Sequence, residues 1–250
     1  MSERDDVASQ TQAAGGADDP GVQAVAAQAL DLIADGARVG LGSGRAAVAF
    51  ITKLGDRARQ GLRIVGVPTS TASERAARAA GIPLIELDED VILDVTVDGA
   101  DEVAPNLDLV KGWGGALVRE RIVASASRRQ VILVGREKLV RTLGERGRIP
   151  IEVIPLARGP VTRCLKALGL LPTVRPDADG PRAFVTDNGN LTLDCAVREP
   201  LHDPRAARQL EAEVLAIPGV VDTGLFLGTA ERVLVGHPDG RVEVLDRKGW

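Results

Sequence analysis

Small and apolar residues recur at helical spacing from Val22 to Ile33, and the run Ala37 to Gly42 that follows is short, apolar and closed by glycine, as a strand entering a turn is. Helical spacing returns over Ala46 to Leu54. The same succession repeats with Leu62 to Val67 as strand, Pro68 to Thr71 as turn and Ser73 to Ala80 as helix. Ile92 to Val97 reads as a third strand ending at Asp98, Gly115 to Ser127 as a helix, and Gln130 to Val134 as a further strand. This alternation predicts an α/β fold, a doubly wound and mostly parallel Rossmann-like sheet. Ligands of such sheets sit beyond the carboxyl ends of the strands. Ser43, Thr69 to Thr71, Asp98 and the residues after Val134 all fall at such ends.

Beyond Pro150 the pattern changes. Ile151 to Pro155 is an apolar run, Val161 to Leu168 is helical, and Asp187-Asn188-Gly189 between Ala183-Phe184-Val185 and Leu191-Thr192-Leu193 predicts a hairpin turn. The final strands, near Arg232 to Val235 and Arg241 to Leu245, are expected to return to the first sheet. The chain therefore divides into a disordered tail (1–19), an α/β catalytic domain (20–148 plus 226–250) and a smaller inserted α+β domain (149–225). The tail is polar, with neither the apolar core of a signal peptide nor the Arg-rich bias of a transit peptide. No apolar run reaches the ~20 residues needed to span a bilayer, so no membrane partner and a cytoplasmic location are expected.

Composition narrows the function. With no Tyr, three Phe and two Trp, the core must be built from Val, Leu, Ile and Ala, and aromatic platforms for stacking bases are lacking. A net charge of −4 without a long basic block likewise argues against a nucleic-acid partner. Cys164 and Cys195 lie far apart and form no metal-binding spacing, which reads as two reduced thiols.

The chemistry concentrates between Asp98 and Glu120: Asp98-Gly99-Ala100-Asp101-Glu102, then Lys111-Gly112-Trp113-Gly114-Gly115, then Arg119-Glu120. Carboxylates move protons, and a lysine with the amides of a glycine turn stabilises a negative oxygen, a set suited to a small, oxygen-rich anion. The Gly40 to Gly44 turn leads into a helix whose N-terminus adds further amides for an anion. Duller readings exist for each residue. Asp98 and Asp101 also suit turn or N-cap positions, Glu120 a solvated helix face beside Arg121, and Lys138 a surface charge run with Arg136 and Glu137. His202 and His237 lie outside these segments, which disfavours an imidazole base or an imidazole-bound metal. No cofactor and no metal are expected; Mg²⁺ on the carboxylates near Asp98 is the alternative.

Together with Val39-Gly40-Leu41-Gly42-Ser43-Gly44, Ile149 to Pro155, Val185 to Asn190 and Ile217 to Val221, these segments occur in an order that resembles type A ribose-5-phosphate isomerases, over roughly residues 20 to 245. The resemblance implies a homodimer or homotetramer that interconverts ribose 5-phosphate and ribulose 5-phosphate, without metal and through an enediolate, in the non-oxidative pentose phosphate pathway. It implies Glu120 as catalytic base, with Asp98, Asp101 and Lys111 around the sugar's O1 and O2. Ser43, Gly44, Arg45 and Ala46 correspond to a substrate loop, Gly99, Ala100, Gly112, Trp113 and Gly114 to further contacts, and Lys138 to another substrate lysine.

Three positions depart from the family pattern: Arg45-Ala46-Ala47 replaces hydroxyl residues, Trp113 replaces a glycine, and Gly135-Arg136-Glu137-Lys138 keeps the lysine without its small polar neighbours. Isomerisation is expected to survive with altered affinity or a shifted sugar-phosphate preference, with Trp113 narrowing or lidding the pocket or stacking on the sugar. Alternatives are an isomerase of a different aldose phosphate, a sugar-phosphate sensor, and an acyl- or CoA-transferring relative using Glu120 as nucleophile. A sensor of the regulator kind needs a DNA-reading module, and the short acidic tail is a poor one.

Overall fold

Asp19 starts the first helix: its Oδ1 accepts hydrogen bonds from the amides of Gly21 (2.8 Å) and Val22 (3.2 Å), and Pro20 takes a first-turn position that needs no donor. The computed structural model describes residues 19–178, 180–198 and 201–247. The tail expected over 1–19 lies outside them save for this capping residue.

In chain order the elements are α1 (Pro20–Ala29), β1 (Ala37–Leu41), α2 (Arg45–Arg59), β2 (Ile64–Pro68), α3 (Thr71–Ala79), β3 (Val95–Asp98), β4 (Glu102–Val103), β5 (Leu109–Val110) and α4 (Leu117–Ser125). They continue with β6 (Gln130–Gly135), β7 (Ile149–Val153), α5 (Arg158–Ala167), β8 (Leu170–Val174) and β9 (Leu191–Val197). The last are α6 (Pro204–Leu215), β10 (Val220–Thr223), β11 (Leu225–Phe226), β12 (Arg232–Gly236) and β13 (Val242–Asp246).

The main sheet has the order β13-β12-β6-β3-β1-β2, parallel throughout except for β13. Val39, Leu41, Val95, Val97, Val131 and Leu133 are buried within it, as expected of strands covered on both faces. From β1 the chain first pairs outward to β2, then crosses back to β3 on the other side. That reversal opens a crevice at the carboxyl ends of β1 and β3. An antiparallel sheet, β10-β7-β9-β8, has its own core of Ile151, Val153, Val161, Leu165, Leu193 and Val214.

The structure departs from the sequence reading in places. A third sheet, β11-β5-β4, consists of two-residue strands too short to show a period. It also carries the chain across the expected 225/226 domain boundary, because β11 pairs with β5. The predicted turn forms, with the Thr186 amide donating to the Asn190 carbonyl at 2.9 Å. Its first arm makes only isolated bridges, while β9 pairs along β7 and β8. Helix α6, capped by Asp203, was not anticipated.

Candidate active site

The floor of the crevice is a buried ion cluster. Asp98 ends β3, Lys111 follows β5 and Glu120 lies in the first turn of α4, with side-chain exposures of 0%, 2% and 7%. Lys111 Nζ stands 3.0 Å from Asp98 Oδ2 and 3.4 Å from Glu120 Oε2, and donates to the Gly99 carbonyl. Neither carboxylate oxygen has a well-directed hydrogen bond of its own, so each faces the ammonium. Asp98 Oδ1 is held from the other side by the amides of Ser43 (2.9 Å) and Gly99 (2.7 Å). Gly42 permits that approach: a Cβ there would fall 2.3 Å from Asp98 Oδ1.

Burial raises the Glu120 carboxyl to about 8, against the pull of the Lys111 ammonium and with help from Asp98 and Asp101. Burial works against a charged Lys111, but Asp98 and Glu120 more than offset it and hold its pKa above the ordinary lysine value. Asp101 is also raised by burial, although its Oδ2 accepts the Trp113 amide at 2.8 Å. The cluster therefore contains a permanent cation beside a carboxyl poised near neutrality, the combination required for moving a carbon-bound proton.

A cavity of about 250 Å³ opens above it. Of the expected residues, Ser43, Gly44, Arg45, Ala46, Gly99, Ala100, Asp101, Lys111, Gly112, Gly114, Glu120 and Lys138 all line this cavity. Asp98 lies beneath its surface and acts on it through Lys111. Trp113 differs from the expectation: its indole does not line the cavity. It faces the cationic groups of Arg148, Arg146 and Lys138 at 4.7, 5.3 and 5.5 Å and donates Nε1–H to the Arg148 carbonyl at 3.2 Å. Its main-chain amide donates to Asp101 Oδ2. Thr69 and Ser70 also stay outside the lining and brace the Ser43 hydroxyl at 2.9 and 2.8 Å.

The far end of the cavity suits a polyanion. Helix α2 begins at Gly44 without a side-chain cap, and Gly44, Arg45 and Ala46 of its first turn line the wall, where the positive end of the helix faces the cavity. Lys138 faces the same space, its pKa lowered by burial and by the charges of Arg146 and Arg45, against the attraction of Asp101. An arriving anion relieves that crowding of positive charge. Helix α4 likewise starts at Ala116 without a side-chain cap, whereas α1, α3 and α6 are capped by Asp19, Ser70 and Asp203.

Residues of the antiparallel sheet support the site, and the sequence reading did not single them out for this. Arg175 reaches the Gly112 and Trp113 carbonyls, and Phe184 packs so closely on Gly115 (φ +84°) that a Cβ there would fall 2.4 Å from its ring. Buried Glu152 Oε1 accepts from Thr186 Oγ1 (3.0 Å), Asn188 Nδ2 (3.0 Å) and Asn190 Nδ2 (2.8 Å). The turn so held binds Thr71 through Asp187 and receives Arg119, the residue before Glu120. Among the described residues no group of three or more His, Cys, Asp or Glu is placed to hold a metal. His237 is engaged with Glu243 and Arg241, and His202 borders a different hollow. Burial pushes the Cys195 thiol up to about 12.

Residues 65–240 match the family model of ribose 5-phosphate isomerase A (phosphoriboisomerase A). A ribose-5-phosphate isomerase A from Gloeobacter violaceus is 46% identical over 224 residues, covering 89% of this chain and 94% of the relative. The structure of ribose 5-phosphate isomerase A from Methanocaldococcus jannaschii superposes with a TM-score of 0.84 at 40% identity, covering 90% and 97% of the two chains. A D-ribose-5-phosphate isomerase in complex with phospho-erythronic acid gives a TM-score of 0.85 at 37% identity, with the same coverage.

Proposed function

The chain belongs to the ribose 5-phosphate isomerase A family, and from that membership we propose how its own residues interconvert ribose 5-phosphate and ribulose 5-phosphate. The observation that carries the assignment of roles is the Asp98, Lys111 and Glu120 cluster beneath a cavity whose other end offers Arg45, Lys138 and the open N-terminus of α2.

The phosphate takes the Arg45 and Lys138 end, which leaves C1 and C2 above Glu120. The Glu120 carboxylate removes the proton from C2, the electron pair forms the C1–C2 double bond, and the carbonyl oxygen O1 becomes an enediolate oxygen. Lys111 and the amides of the Gly112 to Gly115 turn stabilise that charge. Glu120 then returns its proton to C1 while the proton of the O2 hydroxyl passes to O1, so that C2–O2 becomes the ketone and O1 a hydroxyl. Asp101, with its raised pKa, relays the hydroxyl protons. Asp98 holds Lys111 in place. The relative solved in complex with phospho-erythronic acid supports a sugar-phosphate ligand for this site, since that ligand joins a phosphate to a carboxylate with the charge of an enediolate.

The Lys111 ammonium already occupies the space between the Asp98 and Glu120 carboxylates, which supports a reaction that needs no metal. The division into an α/β catalytic domain (20–148 plus 226–250) and an inserted domain (149–225) is supported by the separate core of the second sheet, except that Leu225 pairs with the first domain through β11. We take the protein to be a cytoplasmic homodimer or homotetramer; its two cysteines are both unpaired thiols, in keeping with a reducing compartment. No helix among the described residues is long and apolar enough to cross a membrane.

The test is to follow ribulose 5-phosphate formation from ribose 5-phosphate with EDTA-treated protein and with Glu120→Gln. Metal-independent turnover that is lost in the variant is expected; binding without turnover in the native protein overturns the reading.

A further inference from the structure

Arg175 lies just beyond β8, in the inserted part of the chain and 63 residues from the glycine turn it touches. It is buried, and its place is fixed by its backbone: the Arg175 amide donates to the Thr192 carbonyl and its carbonyl accepts from Phe184, both at 2.9 Å. The guanidinium is engaged on two sides. Nε and Nη2 grip the Asp194 carboxylate at 3.0 and 2.5 Å, while Nη1 donates to the carbonyls of Gly112 and Trp113, each at 3.0 Å.

The carbonyls matter because a trans peptide points its C=O and the following N–H in opposite directions. With the Gly112 carbonyl drawn to Arg175, the Trp113 amide is turned the other way, and it meets Asp101 Oδ2 at 2.8 Å. With the Trp113 carbonyl drawn to the same nitrogen, the Gly114 amide is also turned away from Arg175. Gly114 lines the cavity, and among the described residues its amide donates to no protein acceptor. We propose that Arg175 is a positioning residue that aims the Gly114 amide into the cavity as an oxyanion donor and, through the Trp113 amide, sets the Asp101 carboxylate. The proposal rests on the reading of the site given above.

The guanidinium fork suits this work. A lysine in its place keeps the positive charge but cannot span a carboxylate and two carbonyls in one plane. Asp194 prevents the fork from rotating, and Arg148 also approaches Asp194 at 3.2 Å, so that carboxylate keeps a partner when Arg175 is changed.

The decisive comparison uses two ligands that share the phosphate and differ at the reacting end: 4-phospho-erythronate, whose carboxylate carries the charge of the enediolate, and a pentitol 5-phosphate, which has only hydroxyls there. In Arg175→Gln, kcat for ribose 5-phosphate is expected to fall by about 10- to 100-fold with KM within about threefold, the effect of a displaced rather than a deleted donor. Affinity for the aldonate phosphate should fall by a similar factor, and that for the pentitol phosphate should stay nearly constant. Arg175→Gln combined with Asp194→Asn, which removes both charges of the buried pair and leaves only the exposed Arg148 without its carboxylate, should behave alike, and Arg175→Lys should recover only part of the loss.

An unchanged kcat, or an equal loss for the two ligands, overturns the proposal, because a merely structural arginine does not discriminate between them. If Arg175→Gln does not fold, the same ligand ratio is read from Arg175→Lys. Failure of the wider reading appears separately, as a native protein that does not turn over ribose 5-phosphate.

Discussion

The Lys111 ammonium lies 3.4 Å from the Glu120 carboxylate, and both are buried in the cavity floor. A cation this close stabilises a base that must ionise although it is largely buried, and an enediolate that must form beside it. Replacing Glu120 with Gln keeps the shape and removes the base, so kcat should drop by at least about 10²–10⁴-fold in a coupled assay of ribulose 5-phosphate. Lys111→Met should lose about 10²–10³-fold through the missing charge. It should also push the Glu120 titration higher, since Asp98 and Asp101 then act on it unopposed.

The pH profile follows from the same carboxyl. Glu120 must be ionised to accept the C2 proton, and burial holds it near 8, so kcat/KM should rise with pH along an acid limb centred near 8. Glu120→Gln should lack this limb in whatever residual activity remains. A native profile flat from pH 6 to about 9 would rule out Glu120 as the base in this environment.

Stability should run opposite to activity. The folded pKa of Glu120 is about 8 and its unfolded reference is 4.5, so between these values the native state retains a proton that the unfolded chain has lost. Native stability from this group is complete below the unfolded value and falls as pH rises toward the folded one. Glu120→Gln has no such dependence. It should therefore unfold at higher temperature than the native protein at about pH 8.5, by an amount that shrinks toward about pH 5, as thermal melts at matched ionic strength would reveal.

Glu152 predicts a structural failure rather than a catalytic one. Its buried Oε1 accepts three side-chain donors from the 186–190 turn, and Glu152→Ala leaves them without an acceptor. Only Thr186 of the three donors is buried, so a loss of about 1–3 kcal/mol in urea unfolding is expected. Glu152→Gln, which keeps an accepting oxygen, should cost less.

Trp113 should not set the substrate range. Its ring faces Arg146, Arg148 and Lys138, outside the cavity lining. Trp113→Phe should lose about 1 kcal/mol with the indole hydrogen bond and leave the relative rates on four-, five- and six-carbon aldose phosphates unchanged. A changed preference would return the ring to the specificity of the site.

The order of the main-sheet strands and the helices between them, and the candidacy of Asp98, Lys111 and Glu120, were legible in the residues alone. Strand and helix periods are local, and a cluster of acids, lysine and glycines marks proton and oxyanion chemistry wherever it folds. The hairpin turn was legible for the same reason, because Asn188-Gly189 carries its conformation within itself.

Tertiary structure alone decided that Asp98 sits under the cavity, that the Trp113 ring lies against Arg146, Arg148 and Lys138, and that Arg175, Phe184 and Glu152 brace the turns around it. These relationships join residues far apart in the chain, and no local period records them. The raised pKa of Glu120 belongs to the same class: a glutamate in a helix is ordinarily solvated, and only the packing that buries it beside Lys111 brings its ionisation toward neutral pH.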